Sequence, residues 1–402
     1  VATLASKFIG NNERERVIAQ RLNDFFDRAA ADGIADIHLE SVENGALELR
    51  VRNRDGLMVR EWVFEDVEAP LVLNKIRQRA DLSTLDTRAP QDSRITQIAL
   101  GRRLDVRVSI VPTLHGASCV MRILDSKNAG MPLDALKMPP RVRRAFLRAI
   151  DLPEGVILTV GPTGSGKTST LYSALNILNT PDRKIVTVED PVEYVLPGVQ
   201  QVQAGHGTGT TFAQVLRAFL RQDPDVILVG EVRDAETATV ALQAGQTGHL
   251  VLSTLHANSA IEAFTRLSEM GVSTHAMRSS LRAIIAQRLL RKVCPHCSKP
   301  TDIVDPDALA FIQQHGLQIT QQVQGAGCDA CNQTGYSGRQ AIYEMLLVDG
   351  KLRHALSAND PADLAAAAKA QKQYEPLTHA AARLVAEGVT NFKEALRVSS
   401  DL

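Results

Sequence analysis

Long apolar stretches are missing from this sequence. Its two richest runs, Gly155–Val160 and Ala283–Leu290, are the size of buried core elements. Both fall well short of the roughly 20 residues that a membrane-spanning helix needs. Aromatic residues make up only 4% of the chain, with a single tryptophan. An excess of one charge is lacking too: 45 Lys and Arg face 45 Asp and Glu, and no basic run stands out. Stacking platforms and electropositive stripes are the usual equipment for holding nucleic acid, so no nucleic-acid partner is expected. No basic-then-apolar leader opens the chain, which points to the cytoplasm. The first residue is Val1, so a longer natural protein trimmed at its N-terminus is expected. Cysteine is scarce, five in 402 residues, too few for a disulfide-stapled secreted scaffold.

What is present is organised around Gly161-Pro162-Thr163-Gly164-Ser165-Gly166-Lys167-Thr168. An apolar run precedes it and a helical pattern from Ser169 to Leu175 follows. Strand, glycine-rich loop and helix are the context that a phosphate-binding loop requires. Glycines let backbone N–H groups close around phosphate oxygens, and the helix N-terminus adds the positive end of its dipole. Lys167 can reach the β- and γ-phosphates and the Thr168 hydroxyl can hold Mg²⁺. This is a nucleotide site.

The flanking chain alternates in character. Residues 1–30 carry Val17, Ile18, Leu22, Phe25 and Phe26 at helical spacing. Short runs follow at Ile34–Leu39, Ala46–Val51 and Leu57–Phe64, separated by the hairpin dipeptides Asn44-Gly45 and Asp55-Gly56. A helix over Pro70–Ala80 and a second meander, Ile95–Leu100, Arg103–Val111 and Cys119–Leu124, complete an α+β region with an antiparallel sheet. Gly130, Pro132, Pro139 and Pro140 mark a linker, and a short helix at Arg141–Ile150 leads to the loop strand. Beyond it, strands at Lys184–Val188, Val226–Val229 and Leu250–Ser253 alternate with helices beginning near the N-caps Thr211, Asp234 and Asn258. That alternation predicts an α/β fold, a mainly parallel sheet with the site at its carboxyl edge. The divisions expected are 1–128, a linker 129–140, an ATPase core 141–290, a cysteine-bearing part 291–345 and a helical region 346–402.

Hydrolysis of ATP needs an acid to position metal, a group to align water, and positive charge on the γ-phosphate. Asp225–Val229 leads to Glu231, a strand running out to a carboxylate. Thr187-Val188-Glu189-Asp190-Pro191-Val192-Glu193 is a second acid-bearing strand end, readable as a general base or as a solvated acidic turn. His249 and His256 flank a third strand, and His256 leaves it where a γ-phosphate would lie. Cys294, Cys297, Cys328 and Cys331 form two C-x-x-C pairs, the thiolate set that structural Zn²⁺ prefers; redox or unpaired thiols are the alternative. Cys119 reads as a small buried hydrophobe.

Taken together, GPTGSGKTSTL, TVEDPVEY, LRAFLRQDPDVILVGEVRD and TGHLVLSTLHAN resemble the Walker A, Asp box, Walker B and His box of the secretion ATPases. These are the motors of type II secretion and type IV pilus assembly. ADIHLES, APQDSRI, the cysteine pairs and GRQAIYEML extend the likeness over about residues 30–350. The resemblance implies a RecA-like core behind a PAS-like first domain. It also implies a homo-hexamer peripheral to the inner membrane, working with a platform protein and an adaptor to drive filament assembly. Glu193 matches the catalytic glutamate, with Glu189 and Asp190 in support; Glu231 matches the Walker B acid and His256 the γ-phosphate sensor. Arg107 and Arg122 match paired first-domain arginines that would approach ATP, while Arg217, Arg221 and Arg233 match arginines that fit ion pairing equally well. The cysteine module favours an assembly or secretion motor over a retraction motor; a DNA-translocating ATPase is the reading from another class. Thr87 and Ala117 depart from the arginine and glutamate common at those positions, and a further N-terminal recruitment domain is expected to be missing.

Overall fold

The computed structural model describes residues 11–52, 58–125, 131–205, 209–358 and 360–399. The Asp55-Gly56 turn, the first ten residues, and Ala129 and Gly130 of the expected linker lie outside them. The chain divides into two compact units, Val1–Lys127 and Asn128–Leu402.

In the first unit, helix α1 (Asn11–Asp32) is followed by strands β1 (Asp36–Ser41), β2 (Leu47–Arg52) and β3 (Met58–Phe64). Then come α2 (Ala69–Arg79), β4 (Gln91–Ala99), β5 (Arg102–Thr113) and β6 (Gly116–Asp125). Each meander pairs locally, and β1 joins β6 to make one antiparallel sheet in the order β3-β2-β1-β6-β5-β4. Alternation does the rest: Leu47, Leu49 and Val51 are buried while Glu48, Arg50 and Arg52 are not. The buried face packs on Ile18, Leu22 and Phe26 of α1 and Val72 and Ile76 of α2. Cys119 is fully buried there, and burial pushes its thiol up to about 12, which suits the hydrophobe expected.

The second unit opens with α3 (Pro140–Ile150), β7 (Gly155–Val160) and α4 (Lys167–Leu178). It continues through β8 (Ile185–Glu189), β9 (Gln200–Gln203), α5 (Phe212–Phe219), β10 (Val226–Val229), α6 (Ala235–Ala244) and β11 (Leu250–Leu255). After α7 (Glu262–Glu269) and α8 (Thr274–Ser280), strand β12 (Leu281–Val293) runs into the cysteine region. That region holds β13 (Ser298–Asp302), α9 (Pro306–Gln314) and β14 (Gln321–Gly325), and β15 (Tyr336–Leu347) leads out of it. Helices α10 (Gly350–Ala358), α11 (Pro361–Lys369), α12 (Leu377–Ala386) and α13 (Phe392–Ser399) close the unit.

Its sheet runs β15-β12-β7-β11-β10-β8-β9, parallel apart from β15 against β12. Strands β7, β8, β10 and β11 are buried at every position, as strands covered on both faces must be. Thr211 caps α5 with a reciprocal capping box and Asp234 caps α6. Asn258 does not cap α7, which starts later at Glu262. Its backbone N–H donates to the Glu262 carboxylate at 2.7 Å, and its side-chain oxygen accepts from Arg288 instead. The expected divisions at 290 and 345 fall inside β12 and β15, so both flanks of the cysteine segment belong to the main sheet. Among the described residues no helix is long and apolar enough to cross a membrane.

Candidate active site and metal centre

The loop 161–168 joins the buried end of β7 to the first turn of α4. Two glycines are required by their surroundings. A Cβ on Gly161 (φ 149°) would stand 2.6 Å from the Gln287 carbonyl oxygen, and one on Gly166 (φ 89°) 2.7 Å from the Gln287 amide nitrogen. Gly166 is the N-cap of α4 and offers no side chain, so the first-turn N–H groups keep their capacity for an anion. Lys167 Nζ donates to the carbonyls of Gly161 and Pro162 at 2.8 and 2.9 Å. Desolvation lowers its pKa to about 8; Glu231 works against that shift and Arg288 adds to it.

Parallel pairing sets β7, β11 and β10 side by side, so their carboxyl ends deliver Lys167, His256 and Glu231 to one place. Glu231 is held between Arg233, whose Nη2 lies 2.5 Å from Oε1, and His256, whose Nε2 lies 3.7 Å from Oε2. Desolvation first and Lys167 second lower the His256 pKa and favour the neutral ring, with Glu231 pulling the other way. A carboxylate, a neutral imidazole and a half-buried ammonium thus converge beside a loop of open N–H groups. That combination can hold a polyphosphate and a metal-bound water.

The remaining acids are placed differently. Glu189, at the end of β8, is buried and accepts from Tyr172 at 2.5 Å, Thr187 at 2.6 Å and Gln201 at 3.2 Å. Its oxygens are committed to α4, to β9 and to its own strand, which suits support rather than proton transfer. Glu193 lies half-buried in the segment between β8 and β9, beside Tyr194, whose ring packs edge-on against Tyr172. His249 is tied by its ring nitrogen to the Ala244 carbonyl at 3.1 Å. Arg217 pairs with Glu236 and Arg221 donates to the Arg217 carbonyl.

In the first unit, Arg107 of β5 and Arg122 of β6 are register partners and therefore share a sheet face. Arg122 also donates to Asp36 at 2.7 Å, and Asp36 sits opposite it on β1. The same register row continues through Arg94 on β4 and Arg52 on β2.

Two residues escaped the sequence reading. Gln287 and Arg288 on β12 are both buried, and Arg288 donates to the Asn258 carbonyl at 3.0 Å. The available signal was a polar pair inside the apolar run Ala283–Leu290.

Cys294, Cys297, Cys328 and Cys331 gather with their sulfurs all within 4.8 Å of one another. Cys294 to Cys328 and Cys297 to Cys331 are each 3.9 Å apart, and Cys328 to Cys331 3.7 Å. Four sulfurs at a Zn–S bond of about 2.3 Å in a tetrahedron stand about 3.8 Å apart, so the cage fits that ion. Desolvation opposes ionisation of Cys331, yet the N–H groups of Cys328 and Gly335 bring its pKa down to about 6. His296 takes no part in the cluster.

The family described as type II/IV secretion system protein matches residues 11–397. The chain belongs to that family. It is 41% identical over 393 residues to the type II secretion system protein E of Dickeya dadantii, covering 97% of this chain and 77% of that one. It is 38% identical over 395 residues to the type II secretion system ATPase E of Vibrio cholerae, covering 97% and 77%. The Legionella pneumophila ATPase DotB superposes with a TM-score of 0.70 at 21% identity, covering 94% of this chain and 96% of that one, a likeness of fold. This chain is a secretion ATPase.

Proposed function

We propose that the chain is the type II secretion motor itself: a hexamer whose ATP hydrolysis drives pseudopilus assembly from the cytoplasmic side of the inner membrane. The observation that carries the catalytic part is the meeting of Lys167, Glu231 and His256 at the carboxyl ends of three adjacent strands. In this reading, loop residues 161–168 cradle the phosphates and Thr168 and Glu231 position Mg²⁺. Glu193 takes the proton of the attacking water, with Glu189 bracing its segment. Neutral His256 reports on the γ-phosphate. Arg107 and Arg122 supply the charge that the transition state needs. The four cysteines would hold one Zn²⁺, which supplies structure and no chemistry at the nucleotide.

The likeness at about 40% identity to secretion proteins supports the type II subtype over a pilus or a retraction motor. A platform protein and an adaptor of the secretion machine are the proposed partners, and the divisions at 128, 140, 290 and 345 are proposed as functional parts. Replacing the natural copy by Lys167→Ala in its host tests the whole. Export of type II substrates should stop while the variant accumulates normally and elutes as a hexamer. Continued export would remove this chain from the motor's role.

A further inference from the structure

Gln287 lies beneath the phosphate-binding loop on β12, brought there because β12 pairs in parallel with β7 and sets Ala286 against Val160. It is 1% exposed, and both ends of its amide are used. Nε2 donates to the Ser165 carbonyl at 2.9 Å, and Oε1 accepts from the Thr170 hydroxyl at 2.7 Å. The orientation of the amide follows from chemistry: a carbonyl oxygen can only accept, so the NH₂ group must face Ser165.

A planar trans peptide points its N–H and its C=O in opposite directions. Pinning the Ser165 carbonyl down onto β12 therefore turns the Gly166 N–H away from the strand, toward the hollow of the loop. Gly166 is the N-cap of α4, so this N–H belongs to the set that would face a phosphate. A glycine has little intrinsic preference that would hold this peptide in place. We infer that Gln287 is the positioning residue that fixes the Ser165–Gly166 peptide in its phosphate-binding orientation. It touches no reacting atom and acts through the loop. The inference rests on the loop being the nucleotide site.

Binding of ATP and of ADP to the full chain, read by calorimetry, tests it with three variants. Gln287→Met keeps the length of the side chain and removes the donor. Its affinity for both nucleotides should fall about tenfold, the loss of one well-placed hydrogen bond. Gln287→Glu adds a readout that a packing role would not move. As a carboxylate it repels the Ser165 carbonyl; as a protonated acid its O–H donates to it. Lowering the pH from about 7.5 to about 4.5 should therefore return the Glu variant toward the wild-type affinity at each pH, because burial raises a carboxyl pKa against the pull of neighbouring cations.

The charged and titratable groups around this position are Arg288 on the same strand, Lys167 on α4 and Tyr343 on β15. Wild-type protein at each pH removes the effect of their own titration on affinity, and the two cations, which favour an ionised carboxyl, set how far the pH must fall for the Glu variant. The pH comparison is made within one protein, so it holds even where the Met variant fails to fold. Lys167→Ala separates the two layers of the argument. If it binds nucleotide like wild type, the loop is not the site. If it has lost binding while Gln287→Met stays within about twofold of wild type, or while the Glu variant shows no recovery at low pH, the role given to Gln287 is wrong.

Discussion

Arg291 and Glu394 are clamped together in the interior of the second unit. Arg291 Nε donates to Glu394 Oε1 at 2.9 Å, its backbone N–H reaches Oε2 at 3.0 Å, and Glu394 has no exposed surface. The guanidinium also lies over the Tyr336 ring, 4.3 Å from its centre. Arg291 is on β12, the strand that carries Gln287 and runs out to Cys294, so the pair anchors that strand to α13.

Removing one partner leaves a buried charge, so Glu394→Ala should cost about 3–5 kcal/mol, read by urea unfolding. Burial by itself would raise the Glu394 pKa, but the bonds from Arg291 and Arg397 outweigh it and the pKa is lowered. A depressed folded pKa means that this stabilisation is complete above the unfolded value, roughly 4.3, and fades as the pH falls through the folded one. Acid titration of Glu394→Gln should lack that component of the wild-type loss.

The ammonium of Lys167 should control nucleotide affinity around its own pKa. With the free-state value near 8, a bound polyphosphate would raise it, so binding takes up a proton in that range. Affinity should be full below pH about 8 and should weaken above it. Calorimetry in buffers of different ionisation enthalpy measures the uptake, and an absence of proton exchange would contradict the placement of Lys167 against phosphate.

Glu193→Gln should retain ATP and hydrolyse it roughly 10²–10⁴-fold more slowly, as loss of a general base does. Glu189→Gln should act differently. Its carboxylate accepts from three donors, so an amide there unsettles Tyr172 and the segment after β8 before it touches proton transfer. Single-turnover rates beside melting temperatures distinguish the two; a dead but fully stable Glu189→Gln would transfer the base to that residue.

Elemental analysis should find one zinc per chain. Cys294→Ser with Cys297→Ser should abolish it and loosen the paired strands β13 and β14, seen as faster amide exchange there, with smaller effects at the α4 end of the loop.

Arg107→Ala and Arg122→Ala should lower turnover by about 10³-fold or more while ATP affinity changes little, as for other arginines acting on a leaving phosphate. Mixing Arg107→Ala with Lys167→Ala protein should restore some turnover if the arginine acts across subunits. Wild-type rates in both single variants would confine this sheet face to ion pairs such as Arg122 with Asp36.

Much of the candidate site was legible because its signals are local. A phosphate loop is one strand end, one turn and one helix start, and short-range rules specify all three. Glu231 and His256 could be read because each stands just beyond a run of buried strand residues. The C-x-x-C pairs announce themselves by thiolate chemistry. Asn258 was misread as a helix cap because the partner that takes its side chain, Arg288, arrives from a distant strand.

By itself, then, the order of residues determined the glycine-rich loop between strand and helix, the parallel βα alternation, the antiparallel first unit and the four thiols. Each rests on hydrophobic period, turn chemistry or ligand type within a few residues. Only the tertiary structure decided that β12 lies beside β7, with β15 beyond it, on opposite flanks of the cysteine segment. That pairing is made by backbone hydrogen bonds and apolar burial between segments far apart in the chain, and strand pairing of this kind leaves no local mark. It is also what brings Gln287 under Ser165 and Arg288 to Asn258, contacts that a linear reading of Ala283–Leu290 as one more apolar run has no means of seeing.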